Sequence, residues 1–511
     1  MSRFYSLLSA STIPLVLLVA NSSASAQTSN IINRINITGA SALPSELIAE
    51  IEAKYLDQPL SSEVVEEIIT KINTYYSEEG FDTSGAYLPP NHFDKEGVLT
   101  LQVLEGTIGK FDIQGNNQLS NSFIESRLRT SQPLKSTDLL RSLEELRRSP
   151  WIDSVNAKLV PGVIPGQNDI LLEVVESNPF SLRAAFDNTS SPVSGSFRRG
   201  VEASYTSALF SGDEFAASYF NSEGSDVVEA GYNFPINSQD GRIGFEFAFS
   251  DADVVEEPFI PLNIEFNATQ YKFFYKQPVS RRVSLGLEFS HDSAESFLLG
   301  ERFALAPGAN EVGETKVSKL TFVQEYVDRS DVSFFGFSSR FLLGVDLFGS
   351  TINGSGIPDS SYFAWQGDFA YARAIANNTL FTTIGKFNLT PDLLLPIEQL
   401  SLGGVNSVRG YRRDLVRGDN GFSLSSEVRL PLYGNSSRNL IQVIPFFDLG
   451  YAWSNESRSQ GDFLAGLGLG FSVNFGGLAA RLDYGIPLVD AGNSGDSLQD
   501  EGLYFSLSSS F

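Results

Sequence analysis

The chain has 511 residues, a formal net charge of −25 and no cysteine. Without cysteine it can form neither disulfides nor thiolate metal sites, and its acidity argues against a nucleic-acid partner, which would require a basic face. Yet 42% of the residues are hydrophobic, with 40 Phe and 18 Tyr, and apolar residues that alternate with polar ones and include many aromatics are typical of a membrane β-barrel.

The N-terminal residues, 1–26, have the features of an export signal. Arg3 supplies a basic start, Ile13 to Ala20 form an apolar run, and Ala24-Ser25-Ala26 is a small-residue cleavage pattern. The run is shorter than the roughly 20 residues that a membrane-spanning helix needs. We therefore predict a signal peptide that is removed, and no helical span after it.

The next part of the chain repeats one pattern, which predicts two α+β domains at 31–105 and 106–178. Each copy reads as strand, helix, helix, strand, strand, a unit small enough to be a single domain of a tandem array. The corresponding segments are Ile35 to Gly39 and Phe111 to Gly115 for the first strands, Glu63 to Tyr76 and Ser136 to Arg148 for helices, and Val98 to Leu104 and Ile170 to Val175 for closing strands.

The rest of the chain, 179–511, predicts an antiparallel transmembrane β-barrel of about sixteen strands. Apolar residues alternate with polar ones at a period of two, as between lipid and lumen. The predicted strands start near 180, 198, 213, 226, 241, 266, 281, 317, 332, 360, 378, 421, 440, 461, 477 and 502. The longer gaps fall at alternate connections, at 251–265, 292–316, 346–359, 389–420 and 486–501, and these are expected outside the cell.

One predicted strand contains Gly466, Gly468 and Gly470 at alternate positions. A phosphate-binding loop would require a turn from a strand into a helix, so we interpret these glycines as small residues that face the lumen. The sequence predicts no cofactor and no metal site.

The longest gap, 389–420, is the expected pore loop. A barrel of this width encloses an aqueous channel, so some segment should occupy it, and loops beyond about 15 residues are usually functional or disordered. Near its centre the pore loop carries Val408, Arg409, Gly410 and Tyr411.

This Val-Arg-Gly-Tyr string resembles the loop-six motif of the outer-membrane transporters of two-partner secretion, the ShlB/FhaC/HecB haemolysin secretion/activation family. Two more segments are similar to that family. Tyr87-Leu88-Pro89-Pro90 followed by Gly97 to Gly106 looks like its first POTRA domain, and Phe447-Asp448-Leu449-Gly450 looks like its second barrel motif. The repeat at 31–178 would then be two POTRA domains.

The resemblance implies that Arg409 folds into the lumen and pairs with Asp448. Alternation along the preceding strand independently places Glu427 inward as a further partner. A guanidinium can hold a carboxylate by two parallel hydrogen bonds, which anchors a loop more rigidly than a lysine would. We expect Arg412, Arg413 and Arg417 to be solvated or rim charges.

The resemblance also implies a function and a location. POTRA domains in the periplasm would receive a large exoprotein of haemolysin or adhesin type, and the barrel in the outer membrane would export it unfolded without nucleotide hydrolysis. The terminal Phe511 shares the parity of Leu503, Phe505 and Leu507, and resembles the assembly signal read by the barrel assembly machinery. Since the first POTRA strand begins soon after the signal, we expect no N-terminal plug helix of the kind found in some family members.

Three alternatives remain open. A BamA-like insertase shares the barrel and the arginine motif but usually has more POTRA domains. A passive porin would need neither the repeat nor the motif. An enzyme would have to use His92, in an inter-strand segment, or His291, at a strand end. Because no nucleophile is expected near either histidine, the prediction is that the chain has no catalytic residues and is not an enzyme.

Overall fold

The structure, a computed structural model, describes residues 31–511 except 129, 437–438, 457–460 and 493–494. The predicted signal peptide, and the question of a plug helix before the first POTRA strand, lie outside the described residues. The chain divides into two compact units with the boundary between Asn178 and Pro179. Within the described residues, no helix combines the length and hydropathy needed to cross a membrane.

The first domain of the N-terminal unit packs two helices on a three-stranded sheet. Its elements are β1 (Arg34–Thr38), α1 (Ser45–Tyr55), α2 (Ser62–Glu78), β2 (Gly85–Tyr87) and β3 (Val98–Leu104). β3 is central, parallel to β1 and antiparallel to β2. Apolar residues at helical spacing on α2, namely Val65, Ile68, Ile72 and Tyr76, are buried against Leu99 and Leu101 of the sheet.

The second domain repeats this architecture. Its elements are β4 (Thr107–Gln114), α3 (Asn121–Glu125), α4 (Ser136–Arg147), β5 (Ile152–Pro161) and β6 (Gln167–Glu176). β6 is central, parallel to β4 and antiparallel to β5. The tandem α+β domains predicted from the repeated pattern are thereby confirmed.

Both domains end their first strand on a glycine that touches the central strand. Gly39 and Gly115 have φ values of +75° and +87°. A Cβ on Gly39 would lie 2.5 Å from the Val103 carbonyl oxygen, and one on Gly115 2.2 Å from that of Val174. No other residue fits both the backbone conformation and the space, which explains why the glycine recurs in each copy.

A glutamate at the end of each central strand then holds the turn that follows this glycine. Glu105 accepts hydrogen bonds from the Ala42 N–H at 2.8 Å and from the Tyr76 hydroxyl at 2.7 Å. Glu176 accepts from the backbone N–H groups of Asn117 and Leu119 at 3.0 and 2.8 Å. The repeat therefore extends to polar contacts that hydrophobic periodicity does not reveal.

Replacing Tyr76 by phenylalanine tests the contact with Glu105. Burial, and then the hydrogen bond to Glu105, raises the pKa of Tyr76 above its ordinary value. We expect Tyr76→Phe to lower the free energy of unfolding of residues 31–178 by about 1 kcal/mol at pH 7. Above pH about 10 the unfolded tyrosine ionises while the folded one stays neutral. Stability of the wild type therefore falls, and urea titrations should show the difference between the two proteins narrowing.

The C-terminal unit consists almost entirely of strands. They are β7 (Phe180–Asp187), β8 (Arg198–Thr206), β9 (Glu214–Asn221), β10 (Ser225–Pro235), β11 (Arg242–Asp253), β12 (Ile264–Pro278), β13 (Val283–Leu298), β14 (Glu301–Arg302), β15 (Glu314–Arg329), β16 (Ser333–Val345), β17 (Phe363–Ala376), β18 (Thr379–Leu389), β19 (Leu400–Leu402), β20 (Val416–Gly418), β21 (Asn420–Ser436), β22 (Asn439–Trp453), β23 (Asp462–Phe475), β24 (Leu478–Pro487) and β25 (Leu503–Ser510).

Among the described residues, sixteen of these strands close an antiparallel barrel in chain order. The short β14 only extends β13, while β19 and β20 form a hairpin between β18 and β21. Closure is made by β25 on β7, with Ser506 opposite Asp187 and Ser510 opposite Arg183. The predicted strand number is confirmed, and each predicted start lies within three residues of an observed one.

Alternation along the barrel strands separates an apolar outer face from a polar inner one. On β23, Leu467, Leu469 and Phe471 are exposed, whereas Gly466 faces Asp448 and Gly470 faces Ile444 across the inner surface. This is the arrangement that lipid outside and a polar lumen inside require.

At the closing seam Phe511 is exposed, and its N–H bonds the Leu182 carbonyl oxygen at 2.9 Å. The terminal residue thus extends the pairing of β25 with β7.

Candidate functional site

The pore loop spans 390–419, between β18 and β21, and its central part is buried. Leu402, Val408 and Tyr411 have no exposed surface, and Arg409 is 2% exposed. The hairpin of β19 and β20 brings the chain to this tip, where Gly404 N–H donates to the Tyr411 carbonyl oxygen at 2.8 Å. The loop therefore lies against the inner surface of the barrel and packs there as a core does.

Arg409 grips Asp448 of β22 with three hydrogen bonds. Its Nε and Nη2 lie 2.7 and 2.9 Å from the two carboxylate oxygens, and its backbone N–H adds a third contact at 3.0 Å. Asp448 is fully buried. The geometry is the bidentate pair that only arginine can form, and the backbone contact fixes the loop as well as the side chain.

Further groups surround the guanidinium on other strands. Its Nη1 lies 3.4 Å from Glu427 Oε2 and its Nη2 lies 3.0 Å from Ser425 Oγ, both on β21. The ring of Phe446 covers it at 3.5 Å from Cζ, which is a favourable cation–π distance. Asp483 of β24 approaches to 3.6 Å. The structure thus brings together the predicted Arg409, Asp448 and Glu427.

Two more arginines complete what we term the arginine cluster. Arg481 of β24 binds Glu427 at 2.8 Å and Asp483 at 2.7 Å, and Arg429 binds Glu427 at 2.7 Å. The arginine cluster comprises Arg409, Arg429, Arg481, Glu427, Asp448 and Asp483. Its three positive and three negative charges balance, so that charges taken out of water compensate one another.

Sequence reasoning did not identify Arg429, Arg481 and Asp483 as part of the site. A signal for them was available, because two strands carry an acid and an arginine at positions i and i+2, Glu427 with Arg429 and Arg481 with Asp483. Residues at that spacing share one face of a strand. An inward charged pair on each of two strands is what a buried ionic cluster needs.

The residues after Arg409 are held by two tyrosine hydroxyls. The Tyr504 hydroxyl of β25 accepts from the Gly410 N–H at 3.0 Å and donates to the Tyr411 carbonyl oxygen at 2.6 Å. The Tyr411 hydroxyl lies 2.8 Å from the Ala465 carbonyl oxygen and 2.9 Å from that of Val489. Val408 packs in one apolar cluster with Ala452 and Leu464 of the wall, so each residue of the Val-Arg-Gly-Tyr string is docked by its side chain or its backbone.

Glycines allow the backbone of the loop to approach the backbone of the wall. Gly410 has φ +100°, and a Cβ there would lie 2.9 Å from the Pro487 nitrogen. On the wall, a Cβ on Gly466 would lie 1.9 Å from the Arg409 carbonyl oxygen. Close contact with the pore loop therefore accounts for Gly466, whereas a Cβ on Gly468 or Gly470 would meet residues of the wall.

A conservative change at Tyr504 should loosen this docking without removing the ion pairs. We expect Tyr504→Phe to destabilise the docked tip by about 1–3 kcal/mol, because Gly410 N–H and the Tyr411 carbonyl lose a buried partner. The melting temperature of the detergent-solubilised barrel should fall. Tyr433→Phe is the control, since Tyr433 is exposed, and an equal fall in both variants would contradict the assignment.

Comparison with known proteins identifies the family to which this architecture belongs. Residues 166–473 match the family described as haemolysin secretion/activation protein ShlB/FhaC/HecB, and residues 31–106 match the ShlB-type POTRA domain. The chain belongs to the ShlB/FhaC/HecB family. Its resemblance to that family, first indicated by the pore-loop motif, is confirmed.

Individual members and structures agree with this assignment. The outer membrane transporter CdiB of Dickeya dadantii (strain 3937) is 22% identical over 466 residues, which cover 86% of this chain and 79% of the relative. The structure of CdiB from Escherichia coli has a TM-score of 0.72 at 19% identity, covering 98% of this chain and 94% of that one.

BamA from Haemophilus ducreyi, in a structure that lacks its POTRA domains 1–3, also has a similar fold. Its TM-score is 0.57 at 15% identity, and the match covers 94% of this chain and 100% of that one. At such identities the two structures establish the fold alone.

As a ShlB/FhaC/HecB protein, the chain is an outer-membrane protein with its POTRA domains in the periplasm. The chain enters β7 from those domains, so the connection at 390–419 and the other long connections lie on the extracellular side. That is the asymmetry usual for outer-membrane barrels.

Two sequence expectations about this family member were wrong. Arg412 is not solvated, because its side chain is 12% exposed and its Nη2 lies 2.7 Å from Glu256 Oε1. His291 is not at a strand end but within β13, which continues to Leu298, and its Nδ1 lies 2.9 Å from Ser318 Oγ. Arg417 is exposed, as expected, and Arg413 is half-buried.

The described part of the chain holds no group of three or more histidine, aspartate or glutamate side chains arranged to bind a metal ion. The acids of the arginine cluster are instead paired with guanidinium groups.

Proposed function

We propose that the protein exports a large exoprotein of haemolysin or adhesin type across the outer membrane, unfolded and through its barrel. The observation that carries this proposal is the pore loop itself, folded inside the barrel and fixed there by Arg409 and Asp448. A loop held by a few specific contacts can close a wide lumen and can be displaced from it. In this proposal the arginine cluster controls the pore.

The POTRA domains are proposed to receive the substrate in the periplasm. In the described sheets β2 and β5 each pair with a neighbour on one side only, and β5 is ten residues long. An extended polypeptide can add to such an edge through backbone hydrogen bonds, which demand little of its sequence. An unfolded exoprotein supplies this kind of partner.

Two further partners belong to the same proposal. The apolar outer face of the barrel is in contact with outer-membrane lipid, and the terminal Phe511, exposed at the seam, is the residue through which the barrel assembly machinery would recognise the chain. Neither partner requires a cofactor, and we propose that the protein has no enzymatic activity.

Comparing bacteria with and without this gene tests the function directly. Loss of one or two very large proteins from the medium, with other outer-membrane barrels at normal levels, is the expected result, and a plasmid copy should restore them. Broad loss of barrel proteins would identify an insertase. Unchanged proteomes with reduced solute permeability would identify a passive porin, and either outcome would overturn the exporter.

A further inference from the structure

A second buried ionic group holds the pore loop at Glu398, in the part of the loop that precedes Arg409. Glu398, near the start of the loop, contacts Lys319 of β15 at 2.6 Å, and the same ammonium contacts Asp292 of β13 at 3.0 Å. The Tyr362 hydroxyl, just before β17, donates to the other oxygen of Glu398 at 2.8 Å. We term Lys319, Asp292, Glu398 and Tyr362 the lysine cluster.

The lysine cluster is largely buried from solvent. The side chains of Asp292, Glu398 and Lys319 are 2%, 4% and 15% exposed. Beside it, Leu394 and Leu395 of the pore loop pack with apolar residues of the wall, which are Val317, Leu342, Tyr362 and Ala364. The first part of the pore loop therefore has its own packed docking site on the wall. We term this site the first seat, and the docking site around Arg409 the second seat.

The two seats lie on different strands. The arginine cluster uses β21, β22 and β24, whereas the lysine cluster uses β13, β15 and the segment before β17. β18 separates the two groups of strands in the barrel order. The pore loop is thus attached to two separate parts of the wall at once.

We infer that the lysine cluster is a second anchor of the pore loop, and that it can be released while the ion pair of Arg409 with Asp448 stays intact. Lys319 is its positioning residue. Lys319 is the ion between two carboxylates, one on the wall and one on the loop. Removing it leaves two buried acids facing each other, which drives Glu398 and its part of the loop away. The inference rests on the proposed function in treating movement of this loop as the step that opens the lumen.

The absence of cysteine from the chain makes each seat separately measurable. The single substitution Leu395→Cys reports on the first seat and Val408→Cys on the second, because both positions are fully buried. The rate at which a membrane-impermeant maleimide labels the thiol in each reporter protein measures how often that seat opens. Faster migration of unheated samples in gels shows that each barrel is folded.

Adding Lys319→Met should raise the labelling rate of the Leu395→Cys reporter by about tenfold or more, while the Val408→Cys reporter stays within about twofold of its starting rate. Arg409→Ala should instead raise the labelling rate of the Val408→Cys reporter and leave that of the Leu395→Cys reporter within about twofold of its starting rate. Combining Glu398→Gln with Lys319→Met should lower the rate at position 395 again, since the repulsion is gone and the Tyr362 contact survives.

Lys272→Met is the matched control for the loss of the ammonium. Lys272 pairs with Glu246 between two wall strands at 2.5 Å, and this ion pair involves no loop residue. The control should leave the labelling rates of both reporters unchanged.

Unchanged labelling at position 395 in Lys319→Met, or an equal rise in both reporters, would overturn the second anchor. So would an equal effect of Lys272→Met, and so would failure of Glu398→Gln to reduce the rate. These results concern loop position only, whereas export of the partner protein is measured separately in the medium. If the protein proved not to export a partner, the labelling pattern would still be as expected. If the labelling pattern failed, export could still be normal.

Discussion

Arg409→Ala is expected to stop export of the partner protein almost completely, because the proposed control of the pore needs a loop that returns to one docked position as well as one that can leave it. The substitution removes the cation from a buried carboxylate, Asp448, and deprives the pore loop of the side chain that fixes its tip. Removing one member of a desolvated ion pair costs about 3–5 kcal/mol. Water in the lumen reduces that figure, but even about 1.4 kcal/mol shifts a docked-to-free equilibrium tenfold.

Two measurements detect the loss of the ion pair between Arg409 and Asp448, which we term the lock. The amount of exoprotein in the medium should fall by about tenfold or more, and the conductance of the purified barrel in planar bilayers should change, because the loop no longer occupies one position. Arg409→Lys should give an intermediate result, since a lysine cannot form the two parallel bonds.

Arg417→Ala is the matched control for this lock, because Arg417 lies in the same loop and is exposed. Normal export together with normal conductance in Arg409→Ala would refute a role for the lock.

The barrel could be predicted from the sequence because lipid and lumen impose opposite polarities on alternate residues. The one clear misplacement, at the outer end of β13, has the same origin. Beyond His291 the strand carries Asp292, Ser293 and Glu295, so polar residues occupy both faces and the alternation disappears. A strand that continues outside the hydrocarbon layer has no lipid face, and periodicity cannot show where it ends.

The site was predictable only where a local pattern marks it. Arg409 stands in a distinctive four-residue string, and Asp448 follows from alternation and from family resemblance. Arg412 lies three residues further along, yet its burial depends on Glu256 in another extracellular connection. Such a contact arises when separate loops fold inward together, and nothing in the sequence around Arg412 indicates it.

Contacts that the wall makes with the backbone of the pore loop are equally hidden from sequence. Tyr504 and Gly466 belong to ordinary strands, and each acquires its role because barrel closure and register place it opposite the loop tip. Tyr504 pairs with Asp483, and Gly466 with Asp448 and Pro487. The positions follow from long-range pairing, which one sequence does not reveal.

Gly466→Ala should therefore impair export nearly as strongly as loss of the arginine, although it alters no charge. The new methyl group would stand 1.9 Å from the Arg409 carbonyl oxygen, far inside contact distance, so the loop tip must shift. Overpacking of this kind costs about 1–3 kcal/mol, and here the strain falls on the backbone that carries the lock. Secretion is expected to fall by about fivefold or more while the barrel still assembles.

Gly231→Ala is the matched control, because it adds the same methyl group to a barrel-strand glycine that does not contact the pore loop. Gly231 lies in β10, opposite Glu246, and a Cβ there would have its nearest neighbour at 3.5 Å, a side-chain carbon. That variant should secrete normally. If Gly466→Ala also secreted normally, the loop tip could not be docked as tightly as its contacts require. If instead the defect is specific, close backbone contact is as necessary for the docked pore loop as its ion pair, since the residue that carries the guanidinium, Arg409, also lies against Gly466 through its carbonyl oxygen.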